Sequence, residues 1–188
     1  MSLLSVSMQR KIYEVGGRLG VADPQWLVKL IKFESKFNPA AKNPGSSARG
    51  LIQVIDSTAR SVFNADSSDS LISKYPDFNS QMDNVVYPYL AQYKPFPTAQ
   101  SLYMSVFYPA ARNVDPSTTF YTLYQQYAGA NWKDKYAKFE ATNGGIRKVQ
   151  DYIDLVEGTF YLKKSAPFIP VLLTVGAVAY AIYRRGGI

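Results

Sequence analysis

At 188 residues, with 47% hydrophobic and 14% aromatic content, the chain is long enough to bury a core and carry an appendage beside it. It has no cysteine and no histidine, which excludes disulfides, thiol nucleophiles, Ser-His triads and ordinary zinc sites and leaves any catalysis to carboxylates, hydroxyls or a cofactor. The net charge is +7, but Lys163, Lys164, Arg184 and Arg185 flank an apolar run and leave 17 basic against 14 acidic residues elsewhere, so no nucleic-acid partner is expected.

Residues 2–20 begin apolar and then read as a helix, with Met8, Ile12, Val15 and Leu19 in phase and Gly16, Gly17 and Gly20 marking its end. The apolar start is too short for a signal peptide, and its positive charge follows the run instead of preceding it. A second helix is predicted over 23–37. Asp23 suits the N-cap, and Pro24 the first helical position, where its missing N–H costs nothing. Leu27, Leu30, Ile31 and Glu34 fall at i, i+3, i+4 and i+7, while Lys29, Lys32 and Lys36 point elsewhere. Glu34 thus closes an apolar stripe, where desolvation raises a carboxyl pKa and suits it to general acid work near neutral pH. The plainer alternative is a helix-end glutamate that reaches water or pairs with a lysine.

A polar loop follows over 38–50, then a helix over 51–64 and a second polar loop over 65–78. Residues 79–93 read as a helix with a kink or break near Pro88, and 98–111 as a buried helix running to Tyr108. Residues 113–145 read as loop and short helix, and 146–161 as a last helix with Ile146, Val149, Ile153 and Val156 in phase. Strand candidates are short and isolated, so the fold class is expected to be mainly α. Fifteen tyrosines suit carbohydrate clefts, membrane interfaces and cores alike, and assign no function by number.

The uncharged run 166–183 is about 18 residues long, the lower range for a membrane span. Lys163-Lys164 and Arg184-Arg185 bracket it, and Tyr161, Tyr180 and Tyr183 lie near its ends. It predicts a single C-terminal transmembrane helix with the lipid membrane as partner; a buried core helix is the alternative. The domain organisation expected is 1–162 as the catalytic domain and 163–188 as an anchor with basic flanks.

Glu34-Ser35-Lys36-Phe37-Asn38-Pro39-Ala40-Ala41, a short loop, and Gly50-Leu51-Ile52-Gln53-Val54 together resemble the lytic transglycosylase family in order, spacing and residue type. The resemblance implies a goose-type lysozyme-like fold and cleavage of peptidoglycan glycan strands between N-acetylmuramic acid and N-acetylglucosamine. It implies Glu34 as catalytic acid and base, Ser35 orienting it, Gln53 shaping the cleft, and a 1,6-anhydro product formed without metal or cofactor. Phe107-Tyr108-Pro109-Ala110-Ala111 is similar to the family's Ala-Tyr-Asn-Ala-Gly motif, with Pro109 and Ala111 departing from Asn and Gly. Tyr108 is thereby expected to hydrogen-bond near Glu34; a core aromatic is its alternative. Family members often carry a further cleft tyrosine late in the domain; no motif supports Tyr152 for that place, and a surface or core role fits it better.

The form of residues 107–111 looks like that of phage-encoded members. With the expected anchor, it implies a virion protein, in the virion membrane or host envelope, that opens the cell wall during genome entry and has other virion proteins as partners. Two alternatives stay open: a hydrolase of the same bond, for which Asp56 would have to activate water, and a non-catalytic glycan-binding or structural protein.

Overall fold

The computed structural model describes residues 4–158. Helix α1 (Val6–Leu19) is capped by Ser5, whose side chain accepts from the Met8 N–H, and closes on Gly20 at φ +67°. Helix α2 (Pro24–Ser35) starts at Asp23, whose carboxylate accepts from the Gln25 N–H. The two pack together, with Gly16 of α1 set against Leu27 of α2. Ile12, Val15, Leu19, Leu27, Leu30 and Ile31 are sealed from solvent. Each such aliphatic burial contributes about 2 kcal/mol, and this packing fixes the rotation of α2.

After α2 the chain forms no helix until α3 (Asp56–Phe63). The helix expected from residue 51 is delayed because Gly50 and Gln53 both take positive φ, +76° and +49°, which a right-handed helix cannot accommodate. Instead, Arg49 bridges to both Lys42 and Val54 in antiparallel register. Helix α4 (Ser68–Lys74) lies inside the stretch expected to be loop, started by a capping box between Ser67 and Ser70.

A continuous helical stretch then runs through α5 (Phe78–Gln81), a π-helical turn (Met82–Val86) and α6 (Tyr87–Ala91). The irregularity expected near Pro88 falls one turn earlier. Pro88 has no N–H for the Asn84 carbonyl, and the Tyr87 N–H bonds five residues back, to Met82. Helix α7 (Ala99–Phe107) ends before Tyr108, because the following Pro109 pushes Tyr108 out of the helical region to φ −150°, ψ 86°. Beyond it come α8 (Phe120–Tyr127), α9 (Trp132–Thr142) and α10 (Val149–Glu157), the last closed by Gly158 in the left-handed region.

The described chain is mainly helical, and its only β pairings are isolated bridges. The expectation of a fold ending in a transmembrane helix is corrected: among the described residues no helix is long and apolar enough to cross a membrane. Residues 166–183, on which that expectation rested, and the boundary at 162 lie outside the described residues.

Candidate active site

The last turn of α2 delivers Glu34 inward on the same face as Leu27, Leu30 and Ile31, leaving it 8% exposed. Its Oε1 accepts a hydrogen bond of 2.9 Å from the Tyr152 hydroxyl of α10, 118 residues away in the chain. Its Oε2 is buried and has no hydrogen-bond partner among the described residues. Burial pushes the Glu34 pKa up to about 8, and the Tyr152 hydroxyl offsets part of that rise. Glu34 is therefore mostly protonated at neutral pH, with one oxygen held by Tyr152 and the other without a hydrogen-bond partner among the described residues.

Ser35 turns its hydroxyl back to the Ile31 carbonyl at 3.0 Å, an i−4 bond that satisfies the end of the helix; its bond is not to Glu34. Lys36 and Phe37 then take φ of +54° and +62° in succession. Two adjacent non-glycine residues in the left-handed region are costly and persist only where the surroundings impose them. Here Phe37 is buried, and the Lys36 N–H caps the Lys32 carbonyl. The reversal is continued by Asn38, whose side chain accepts from the Ala40 N–H at 3.0 Å.

Gln81 joins the two strands of chain that flank this loop. Its side-chain N–H donates to the Pro39 carbonyl at 2.8 Å, and its Oε1 accepts from the Leu51 N–H at 2.9 Å. Gln81 is fully buried, so the loss of either bond strands a polar group in the core. A Cβ on Gly50 would stand 2.7 Å from that Oε1 and 2.6 Å from Ile72 Cδ1, which is why a glycine is needed at this point. Gln53 is also buried, and its side chain donates to the Gly50 carbonyl at 2.9 Å, closing the tight turn from within.

Tyr108, expected near Glu34, is buried instead among Phe120 and Tyr124, and its hydroxyl faces the Leu123 carbonyl at 3.5 Å. The tyrosine that meets Glu34 is Tyr152. Its ring stacks on Phe107 at 3.7 Å and meets Phe33 edge-on at 5.7 Å, which fixes its hydroxyl in place. Tyr89 is a second tyrosine in electrostatic reach of Glu34; its hydroxyl donates to the Ser105 carbonyl at 2.9 Å. A signal for Tyr152 was present in the sequence: Val149, Tyr152 and Val156 form the buried stripe of α10, and a tyrosine in such a stripe needs a partner for its hydroxyl.

Asp56 is differently placed. It accepts from the Ser68 N–H at 2.9 Å and the Ser68 hydroxyl at 2.8 Å, tying α3 to α4. These bonds hold its carboxyl below the usual range. A pocket of about 250 Å³ bounded by Asn64, Ser70, Lys74, Tyr75 and Asn84 does not include Glu34 and offers no buried acid. Among the described residues no three acidic side chains gather as a cation site requires.

No match to the chain is found among curated proteins or among solved structures. Residues 18–82, a segment that holds Glu34, Gly50, Gln53 and Gln81 but neither Tyr108 nor Tyr152, match the Transglycosylase SLT domain family, and this similarity supports a lytic transglycosylase acting on peptidoglycan.

Proposed function

We propose that this chain cleaves the MurNAc–GlcNAc bond of peptidoglycan as a lytic transglycosylase, with Glu34 as the catalytic residue. The observation that carries the reading is a single buried carboxyl whose pKa is pushed up to about 8 and whose second oxygen is unpartnered among the described residues. Paired-carboxylate glycosidases divide acid and base or nucleophile between two groups. Here one group serves twice. Protonated Glu34 gives its proton to the glycosidic oxygen as the bond to the anomeric carbon breaks. The resulting carboxylate takes the proton of the muramoyl 6-hydroxyl as that oxygen attacks the anomeric carbon. The product carries a 1,6-anhydro ring, no water is consumed, and Glu34 ends protonated as it began.

Tyr152 serves as a positioning residue: its hydroxyl fixes the Glu34 carboxyl and supports the charged form once the proton has left. Gln53 and Gln81 shape the loop beside the acid. Asp56 is engaged by Ser68, so nothing here favours a water-activating second carboxylate. For its setting, the reading is a phage virion protein that opens the wall during genome entry, supported by the form of residues 107–111 alone.

The test is digestion of purified peptidoglycan by wild type and Glu34→Gln. Loss of at least about 100-fold in rate with the fold intact is expected. Near-wild-type turnover by folded Glu34→Gln contradicts the mechanism.

A further inference from the structure

The hydrogen bond between Tyr152 and Glu34 depends on how α10 is seated, and α10 is short, nine residues long. Its first turn is held by backbone: the Val149 N–H bonds to Thr118 and the Gln150 N–H to Pro116, at 3.1 and 2.9 Å. In its last turn, beside the buried Val156, Glu157 ties it to two other helices. One Glu157 oxygen accepts from Lys29 Nζ of α2 and the other from the Tyr103 hydroxyl of α7. Lys29 precedes Glu34 on α2, and Tyr103 precedes Phe107, the ring on which Tyr152 stacks, by one turn of α7. The two helices gripped by Glu157 are therefore the two that hold the acid and the stacking partner of its tyrosine.

A carboxylate with a cation on one oxygen and a phenol on the other is set in direction as well as distance. It resists both sliding of α10 along its axis and rotation about it. Either movement carries the Tyr152 hydroxyl off Glu34, and a shift of the order of 1 Å is enough to break a bond of this length. The groups that face these two carboxyls from neighbouring elements are Lys29 on α2, Tyr89 on α6, Tyr103 on α7 and Tyr152 on α10.

We infer that Glu157 is a positioning residue for the proposed reaction: it locks α10 to α2 and α7 and thereby holds Tyr152 on Glu34. The lock rests on that reading for its consequence in rate, but its effect on Glu34 is a property of the fold alone.

The experiment follows the ionisation of Glu34 by its infrared carboxyl band, assigned by its absence in Glu34→Gln, alongside the rate on purified peptidoglycan. The chains compared are wild type, Tyr152→Phe, Glu157→Ala, Glu157→Gln and Tyr152→Phe/Glu157→Ala. Tyr152→Phe removes a bond that favours ionised Glu34, so its midpoint is expected to rise. Glu157→Ala is expected to move the midpoint the same way, to lower kcat by no more than the about 10-fold expected of Tyr152→Phe with KM little changed, and to add nothing to Tyr152→Phe in the double variant. Glu157→Gln keeps the size and one acceptor and is expected to fall between wild type and Glu157→Ala; it supplies the comparison where the alanine variant does not fold. A lower melting temperature with an unmoved midpoint, or effects that multiply in the double variant, overturns the inference. An inactive wild type whose Glu34 midpoint still responds to Glu157 overturns the functional reading and leaves the lock standing.

Discussion

Glu34 and Asp56 belong to the same family-matched segment, and their surroundings push them in opposite directions. Glu34 ends an apolar helical face with a phenol on one oxygen and, among the described residues, no hydrogen-bond partner on the other. Asp56 begins a helix, accepts two bonds from Ser68, and has Arg60 and Arg49 as electrostatic neighbours. The same functional group is thus kept neutral in one place and ionised in the other, by burial without a cation against hydrogen bonding near cations. A carboxyl that helps hold the fold should be a stabilising charge, whereas one built for proton donation should be a liability to stability when charged.

Glu34→Gln tests that difference most severely. Activity is expected to fall by at least about 100-fold. Stability is expected to change in the opposite sense, with a defined pH dependence. The Glu34 pKa is raised from 4.5 when unfolded to about 8 when folded, so the folded protein binds more protons between those values. Stability therefore declines as pH rises from 4.5 through about 8, by roughly 5 kcal/mol from this group at most. Glu34→Gln lacks the group, so denaturant unfolding at pH 9 should find it more stable than wild type and at pH 5 close to it. A variant that is less stable at both pH values refutes the burial argument. The rate of the wild-type enzyme should likewise fall as pH rises through about 8, because the acid form is the one lost; a rate that keeps rising there assigns the proton to another group.

Gly50→Ala strikes the frame beside the acid. The added Cβ meets Gln81 Oε1 and Ile72, at a residue already in the left-handed region, and a cost of about 2–3 kcal/mol is expected in thermal or denaturant unfolding. Wild-type stability in Gly50→Ala removes Gln81 as the clamp of the loop.

Tyr152 and Tyr108 separate the two tyrosine roles. Tyr152→Phe is expected to lower kcat about 10-fold with little effect on KM, as the Glu34 carboxyl loses the hydroxyl that holds its Oε1. Tyr108→Phe, whose hydroxyl faces the Leu123 carbonyl, is expected to leave the rate within about 2-fold and cost no more than about 1 kcal/mol. The reverse order of effects on rate would return Tyr108 to the site and remove Tyr152 from it.

The smallest effect belongs to the other carboxyl. Asp56→Asn keeps an acceptor for Ser68 but loses the charge, so about 1 kcal/mol of stability is expected to go above pH 4, with the cleavage rate unchanged. A large loss of rate would make Asp56 a second catalytic carboxyl and favour a hydrolase.

These sites differ in how far local sequence exposed them. Asp23-Pro24 and the spacing from Leu27 to Glu34 announce both the helix and its buried acid, because a helical period and a cap are local rules. Helix α4 was hidden because its starting signal is Ser67 with Ser70, residues that also mark loops. The delayed start of α3 was hidden because the left-handed Gln53 is imposed by a turn that Gly50 and Gln81 close together. Tyr152 reaches Glu34 through the seating of α10, and no pattern within α10 specifies what its buried face will meet. The chemistry of Glu34 was legible where it depended on its own helix and illegible where it depended on another.

In the proposed mechanism one carboxyl, Glu34, serves as both acid and base without water. Mass spectrometry of the fragments released from purified peptidoglycan tests it most directly. Wild type should yield ends lighter than hydrolysed ends by one water, the mark of a 1,6-anhydro ring, and Glu34→Gln should yield none. Hydrolysed ends from the wild type, or anhydro ends from Glu34→Gln, would contradict it.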